Sequence, residues 1–306
     1  MWASGNPGCA SRGAWRRSGG CFSVYRTILL IRCPDQPGII ARYATLLYEL
    51  GGNILGADQY TTDAKNGRFY MRIEFSHAGG AEQRAAIAEA LGPLTESLGG
   101  ITQLHGMETP MRMGIAVSKY DHCLLDLLYR VKKRELAVDV PFVVSNHGDL
   151  RDAVEGQGIP FHYLPVEAGR KQEQEAQLVA LISGSTDFLV LARYMQVLSE
   201  DFLRAYGRDV INIHHSFLPS FQGANPYRQA YERGVKIIGA TAHYATGELD
   251  EGPIIEQSVE RVSIRDDVAS LQSKGRHLEQ MALARAVAAH IEHRVIRLER
   301  RTIVFE

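Results

Sequence analysis

Asn212, His214, His243 and Asp250 place an amide, two imidazoles and a carboxylate in one stretch, Asp209 to Gln257, of this 306-residue chain. An amide N–H can donate to a developing oxyanion, and an imidazole beside a carboxylate can hold or receive a proton, so the set suits general acid–base chemistry. Taken singly, each residue reads equally well as a loop polar, with His215 and Glu256 exposed and His243 a satisfied strand-end histidine. The competing chemistry is a metal hydrolase drawn from His214, His215, His243, Asp250 or Glu256. Adjacent histidines on a strand diverge and no H-E-x-x-H pairing occurs, so no metal is expected, nor any other cofactor.

Side chains two apart on a strand share a face, which groups Asn212 with His214 at the end of a short strand-like segment. Pro219, Gly223 and Pro226 then open a long loop. Tyr227 to Arg233 reads as a short helix, and Lys236 to Tyr244 as an apolar strand carrying His243 at its end. Asp250 and Gly252 lie in the turn-rich segment beyond it. In open α/β sheets ligands bind at such strand ends.

Upstream, Met113 to Ser118, Val138 to Ser145, Phe161 to Leu164 and Phe188 to Ala192 read as strands. Helices separate them at Lys119 to Arg134, around Ala153 and Val154, and at Gln172 to Ser183. The alternation implies a doubly wound, mostly parallel sheet. A long helix from Asp266 to about Arg294 should bury Val268, Leu271, Leu278, Met281, Ala284 and Ala288 and leave His277, His290 and His293 solvated. Thr302 to Phe305 reads as a closing strand. The first strand-to-helix turn, Ser118 to Cys123, holds no glycine and so offers no ready phosphate cradle; no dinucleotide fingerprint or G-x-S-x-G elbow occurs elsewhere.

Residues 25–108 read as a separate unit in the ferredoxin-like order β-α-β-β-α-β. Its first strand is Thr27 to Arg32. Asp35 to Gly38 open a helix with Ile39, Tyr43, Leu46, Leu47 and Leu50 at helical spacing, which Gly51 and Gly52 stop. Asn53 to Thr62 and Gly67 to Phe75 flank an Asn66-Gly67 turn. A helix marked by Ile87, Leu91, Leu94 and Leu98 follows, which Gly92 and Pro93 should kink or divide, and then the strand Ile101 to Gly106. Residues 107–112 read as a linker, and 109–306 as the second domain.

A composition 45% hydrophobic and 23% charged is that of a globular chain whose length suits two domains. A net charge of −1 gives no global attraction to nucleic acid or anionic membrane. No apolar run approaches the roughly 18 residues of a membrane span. Four cysteines without a C-x-x-C pair fit reduced thiols and a cytoplasmic location. Residues 1–24, with Arg12, Arg16 and Arg17 and no acid, read as a disordered extension, although Arg-rich, acid-poor leaders also serve as transit peptides.

N-x-H at a strand end, a proline-bearing loop, a short helix and a T-x-H strand with an aspartate seven residues past its histidine resemble the folate-dependent formyltransferase and deformylase superfamily. Within it, HHSFLPSFQGANPYRQAYERG, GATAHY and LDEGPIIEQ resemble the formyltetrahydrofolate deformylases. The resemblance implies hydrolysis of 10-formyltetrahydrofolate to formate and tetrahydrofolate, feeding formate to purine biosynthesis and balancing the one-carbon folate pool. Asn212, His214 and Asp250 would be catalytic, with His243 supporting. The folate would lie between Tyr194, Met195, Gln196, Val197 and Leu198 on one loop and Ala245, Thr246 and Gly247 on another. The alternative within the superfamily is a formyltransferase to an amine acceptor. Glycinamide ribonucleotide formyltransferases have a glycine-rich turn for the acceptor's phosphate where this chain has Ser118 to Cys123. The order of the first unit, with P-D-Q-P-G-I-I and G-G-N-I in its turns, resembles the ACT regulatory domain. That implies a homo-oligomer and a small amino-acid effector, such as glycine or methionine, near Asp35, Gly38 and Ile39. A non-catalytic amino-acid sensor is the reading furthest from an enzyme.

Overall fold

The computed structural model describes residues 24–63, 65–219 and 226–306. The expected extension, apart from Val24, and Gly223 of the long loop lie outside them. The chain divides into two compact units between Thr109 and Pro110.

In the first unit, β1 (Tyr25–Pro34), α1 (Ile39–Glu49), β2 (Asn53–Thr61), β3 (Arg68–His77), α2 (Gly80–Ser97) and β4 (Ile101–Gly106) give the expected βαββαβ order. The strands form one antiparallel sheet in the order β2-β3-β1-β4. Strand alternation turns Leu29, Ile31 and Cys33 toward the helices, where they pack with Ile39, Tyr43, Leu47, Ile87 and Leu91. Asn66 takes the left-handed φ of 56° that the hairpin turn favours. Of the expected kink or division at Gly92 and Pro93, division does not occur, and α2 continues through Pro93. Proline removes the bond to the carbonyl of Glu89, but both residues are exposed, so water can satisfy the freed group.

The second unit runs β5 (Met111–Val117), α3 (His122–Lys132), β6 (Val138–Asp139), β7 (Val143–Ser145), α4 (Arg151–Glu155), β8 (Phe161–Tyr163), α5 (Lys171–Ile182), β9 (Phe188–Ala192), α6 (Glu200–Tyr206), β10 (Val210–His214), α7 (Pro226–Glu232), β11 (Ile237–Tyr244), β12 (Ile254–Arg261), α8 (Val268–Ile291), β13 (Val295–Arg297) and β14 (Thr302–Val304). Its main sheet is ordered β12-β11-β10-β9-β5-β7-β8, with β6 beside β5. Pairings from β10 through β8 are parallel, and β11 and β12 add an antiparallel edge. Met113, Ile115, Val117, Phe188 and Val190 face a core shared with α3 and α8. Ala116, Leu189 and Leu191 face the other, with α5 and α6. Helices therefore cover both faces, the doubly wound arrangement expected.

Several elements depart from the sequence expectation. Val138 to Ser145 is two short strands, because Pro141 between them has no N–H to give a ladder. The linker is shorter than expected, since β5 starts at Met111. Neither α6 nor β12 nor β13 was anticipated. His290 is not solvated: its ring lies 4.6 Å from that of Phe188, and its Nδ1 shares a hydrogen bond with the Tyr244 hydroxyl at 3.0 Å. Among the described residues no helix is long and apolar enough to cross a membrane.

Candidate active site

The chain leaves β5 toward β7 and β8 on one side and returns through β9 to β10 on the other, so the sheet order reverses between β5 and β9. Loops at the carboxyl ends of these strands meet at that crevice. Ser118 ties them: its Oγ donates to Asn146 Oδ1 at 2.7 Å and accepts from Met195 N at 2.9 Å. The far end of the 193–199 loop is held by Glu175 on α5, which accepts from Ser199 N at 2.9 Å.

One strand over, Val210 of β10 enters the core beneath α5 and α6, while Asn212 and His214, next on that face, reach a cavity of about 260 Å³. β11 is antiparallel and sets His243 opposite Asn212 and Thr241 opposite His214. His243 thus arrives across the ladder, not from a shared strand-end edge, and a bulge at Ala242/His243 in the pairing with β12 adjusts its aim. Thr241 Oγ1 donates to Ser216 O at 2.9 Å and accepts from Leu218 N at 3.1 Å, which pins the chain just after His215. The loop carrying Asp250 closes back where Tyr244 N donates to Pro253 O at 3.0 Å. A Cβ on Gly252 would lie 1.6 Å from the Tyr244 carbonyl oxygen, so this return requires glycine.

Asp250 takes φ 57°, a left-handed conformation that aspartate tolerates better than most residues. Its Oδ2 is 3.1 Å from His214 Nδ1, and its Oδ1 is 3.7 Å from His243 Nε2. Burial alone would raise this carboxyl. The hydrogen bond from His214, then the nearness of His243, hold it well below the usual carboxylate range. At 3.7 Å His243 is too distant to donate, so the His214 bond carries most of the effect.

His243 Nδ1 lies 3.0 Å from the Tyr244 carbonyl, which can only accept, so that nitrogen holds the proton. Nε2 then accepts from Asn212 Nδ2 at 3.1 Å, fixing the amide with a second N–H to spare. His214 Nε2 is buried and has no hydrogen-bond partner among the described residues. A spare amide N–H, an open imidazole nitrogen and an ionised carboxylate therefore meet at one cavity.

Of the residues expected to hold the folate, Tyr194, Met195, Gln196, Val197, Leu198, Ala245 and Thr246 line this cavity. Gly247 does not; its hydrogens face Glu200, and Glu248 and Leu249 line the wall in its place. The rings and branches of Tyr194 and Leu198 are sunk in the core, with the Tyr194 hydroxyl accepting from Gln174 Nε2 at 2.9 Å. Met195 and Val197, 54% and 51% exposed, form an apolar lip. In the first unit, Asp35 and Gly38 are at the surface while the Ile39 side chain is in the core, leaving only its backbone near the turn.

Sequence reasoning missed Arg193 and misjudged His215, both of which line the cavity. His215 lies past the end of β10, where strand alternation no longer applies, and its ring sits 5.0 Å from that of His214 instead of diverging. Burial, then the charges of Arg193 and His214, push it down to about 4, so it is neutral. Arg193 holds φ 62°, and such strain in a cavity wall is a signal the sequence does not carry. Behind it, His122, Cys123 and Glu279 bring ligand-type atoms within 4.8 Å of one another. The thiol is raised well above its ordinary value, first by burial and then by Glu279, and the Arg193 guanidinium already compensates the carboxylate. Both oppose occupation by a cation.

Residues 111–287 match the formyl transferase family model and residues 27–94 the ACT domain model. A formyltetrahydrofolate deformylase of Synechocystis sp. is 49% identical over 278 residues, 90% of this chain and 97% of that protein. The crystal structure of a formyltetrahydrofolate deformylase from Pseudomonas syringae pv. tomato superposes with a TM-score of 0.86 at 42% identity, covering 92% of this chain and 95% of that one. A glycinamide ribonucleotide transformylase from Symbiobacterium toebii matches less closely, with a TM-score of 0.61 at 28% identity over 67% of this chain and 98% of its own. The Synechocystis and Pseudomonas proteins, whose matches cover nine-tenths of this chain, both bear the deformylase name, and the chain belongs to the formyltetrahydrofolate deformylases.

Proposed function

We propose that this enzyme hydrolyses 10-formyltetrahydrofolate to formate and tetrahydrofolate with Asn212, His214 and Asp250 as its catalytic groups. The observation that carries the assignment of roles is the convergence of these three side chains on one cavity, each with a valence turned away from its protein partners. Water attacks the formyl carbon. The negative charge that develops on the formyl oxygen is met by the spare Asn212 N–H and by His214 when Nε2 carries a proton. Asp250 orients His214 and receives the water's proton in the course of the reaction; the proton leaves with the folate nitrogen as the carbon–nitrogen bond breaks. The pterin lies against the Met195–Val197 lip, where a mostly apolar slot with fixed backbone groups suits a planar heterocycle.

Transfer to an amine is the weaker reading. The turn where an acceptor phosphate would rest is already occupied, with Ser118 bonded to Asn146 and Met195 and His122 bonded to Glu279. Purified protein should release formate in step with folate consumption, with no acceptor, metal or nucleotide added. Turnover only on addition of glycinamide ribonucleotide or another amine would reverse the assignment.

The released formate is proposed to supply purine synthesis and the one-carbon pool. For the first unit we propose a homo-oligomer and control by a small amino acid such as glycine or methionine at the Asp35–Gly38 turn. Calorimetry with each amino acid decides the second point, and the absence of heat together with unchanged turnover would leave only an assembly role. The cytoplasm is the proposed location, in keeping with the buried, unpaired Cys33 and Cys123; fractionation that recovers the protein in an organelle would overturn it.

A further inference from the structure

Glu279 is a carboxylate on α8 whose side chain is only 2% exposed. Its Oε2 accepts from His122 Nε2 at 2.8 Å and lies 3.4 Å from Arg193 Nε; its Oε1 accepts from the Tyr227 hydroxyl at 2.9 Å. Space for Tyr227 is left by Gly275 one turn earlier on the helix, where a Cβ would fall 2.0 Å from that hydroxyl. Four segments distant in sequence, the turn after β5, the loop after β9, α7 and α8, therefore converge on one charge. Burial would raise Glu279, yet His122, Arg193 and Tyr227 hold it below the ordinary carboxylate value.

The cluster stands directly behind the catalytic cavity. Arg193 lines the cavity and lays its guanidinium over the Tyr120 ring at 5.0 Å. His215 lines it too, with its ring 6.5 Å from that of Tyr227. The Ser118 to Cys123 turn backs this wall, with Tyr120 beneath the Arg193 guanidinium and His122 bonded to Glu279, and it is the turn that replaces the glycine-rich phosphate cradle of the amine-directed formyltransferases.

We propose that Glu279 is a positioning residue for acceptor specificity: by fixing Arg193, His122 and Tyr227, it holds the wall formed by Arg193 and His215 rigid, so that water reaches the formyl carbon and amines do not. The inference rests on the hydrolase reading and adds to it the group that excludes the alternative nucleophile. Without the carboxylate, Arg193 loses its counter-charge and the Tyr227 hydroxyl its acceptor, and the wall can yield to a larger nucleophile.

The test is a partition experiment with hydroxylamine as the added nucleophile. Its nitrogen forms a bond to the formyl carbon, the bond from that carbon to the folate nitrogen breaks, and the proton hydroxylamine loses goes to that nitrogen, giving formohydroxamate in place of formate. In Glu279→Gln the ratio of formohydroxamate to formate should rise by roughly tenfold, the scale on which one altered pocket contact changes discrimination, with KM for the folate unchanged. Tyr227→Phe, which keeps the ring and removes one bond to Glu279, should move the ratio the same way by less, and it decides the matter if Glu279→Gln does not fold. An unchanged ratio in folded variants, whatever happens to their stability, would reduce Glu279 to a structural group. Absence of formate release by the unaltered enzyme would instead sink the underlying hydrolase reading.

Discussion

Asp250 and Glu279 are both carboxylates bonded to a histidine in the second unit, Asp250 to His214 Nδ1 at 3.1 Å and Glu279 to His122 Nε2 at 2.8 Å. What separates them is where the pairs sit. Glu279 projects from a long helix and divides its oxygens among three partners, none of them in contact with the reacting space except through Arg193. Asp250 sits in a left-handed turn on a loop, and its histidine lines the cavity with Nε2 unpartnered. In the proposed mechanism the same two functional groups serve chemistry in one place and rigidity in the other. Access to the cavity, not residue identity, is what assigns the catalytic role to the Asp250 pair.

The largest losses are expected at the pair proposed as catalytic. His214→Ala and Asp250→Asn should each lower kcat by about 10²- to 10⁴-fold, and Asn212→Ala by roughly 10²-fold through the lost oxyanion donor. Asparagine is the substitution of choice at 250 because it removes the charge while tolerating the left-handed backbone. Steady-state rates should show the His214→Ala, Asp250→Asn double variant little worse than either single, as expected of residues acting as one unit. Near-full activity in folded Asp250→Asn would mean that the open pair is not the catalytic one.

The catalytic pair was the more legible of the two in sequence. N-x-H and T-x-H carry local spacing that a strand converts into facing side chains, and Asp250 follows within a short loop, so their convergence on one cavity follows from local pattern. Glu279 lies far from every partner it makes, and a lone glutamate in a long helix reads as solvated. A trace was present, since Glu279 is next to Leu278 and four residues from Gly275, on the stripe that ends up buried. Periodic elements such as α1 and β9 were legible for the same local reason. The antiparallel course of β11, the strand β12 and the split at Pro141 depend on pairing across the sheet, which local pattern does not encode. His215 was misjudged because strand geometry was extended one residue too far.

Removing the closed pair should damage the fold more than removing the open one. Glu279→Ala leaves Arg193 without its counter-charge and the His122 and Tyr227 donors without an acceptor, a break expected to cost about 3–5 kcal/mol. Asp250→Asn keeps a side chain able to bond His214, and its site is open to a cavity that water can enter, so its loss should be clearly smaller. Urea unfolding of both variants at neutral pH measures the difference. Equal losses would show that the Asp250 pair is as structural as the Glu279 pair.

The smallest effect is expected at the ring standing between the two pairs. His215 lies 5.0 Å from His214 and 6.5 Å from Tyr227, with Arg193, Glu279 and Asp250 all acting on it. Both carboxylates favour its protonated form, but burial first, then Arg193 and His214, outweigh them and bring it from the ordinary 6.5 to about 4. A histidine whose folded value is depressed takes up its proton first in the unfolded chain, so its stabilising contribution is complete above about pH 6.5 and is lost as pH falls through about 4. His290, likewise lowered to about 4 by burial, adds to the slope in that window. The lowered carboxyls of Asp250 and Glu279 act further down, their contributions disappearing only as pH drops below their ordinary values of 3.8 and 4.5. The unfolding midpoint should therefore begin to fall on the acid side of neutrality, before the contributions of Asp250 and Glu279 are lost. In His215→Asn the decline over that window should be shallower by up to one proton's worth of slope, with the steeper loss at lower pH retained. An unaltered slope would mean that the ring between the two pairs is charged in the folded protein, and that the carboxylates, not burial and Arg193, control it.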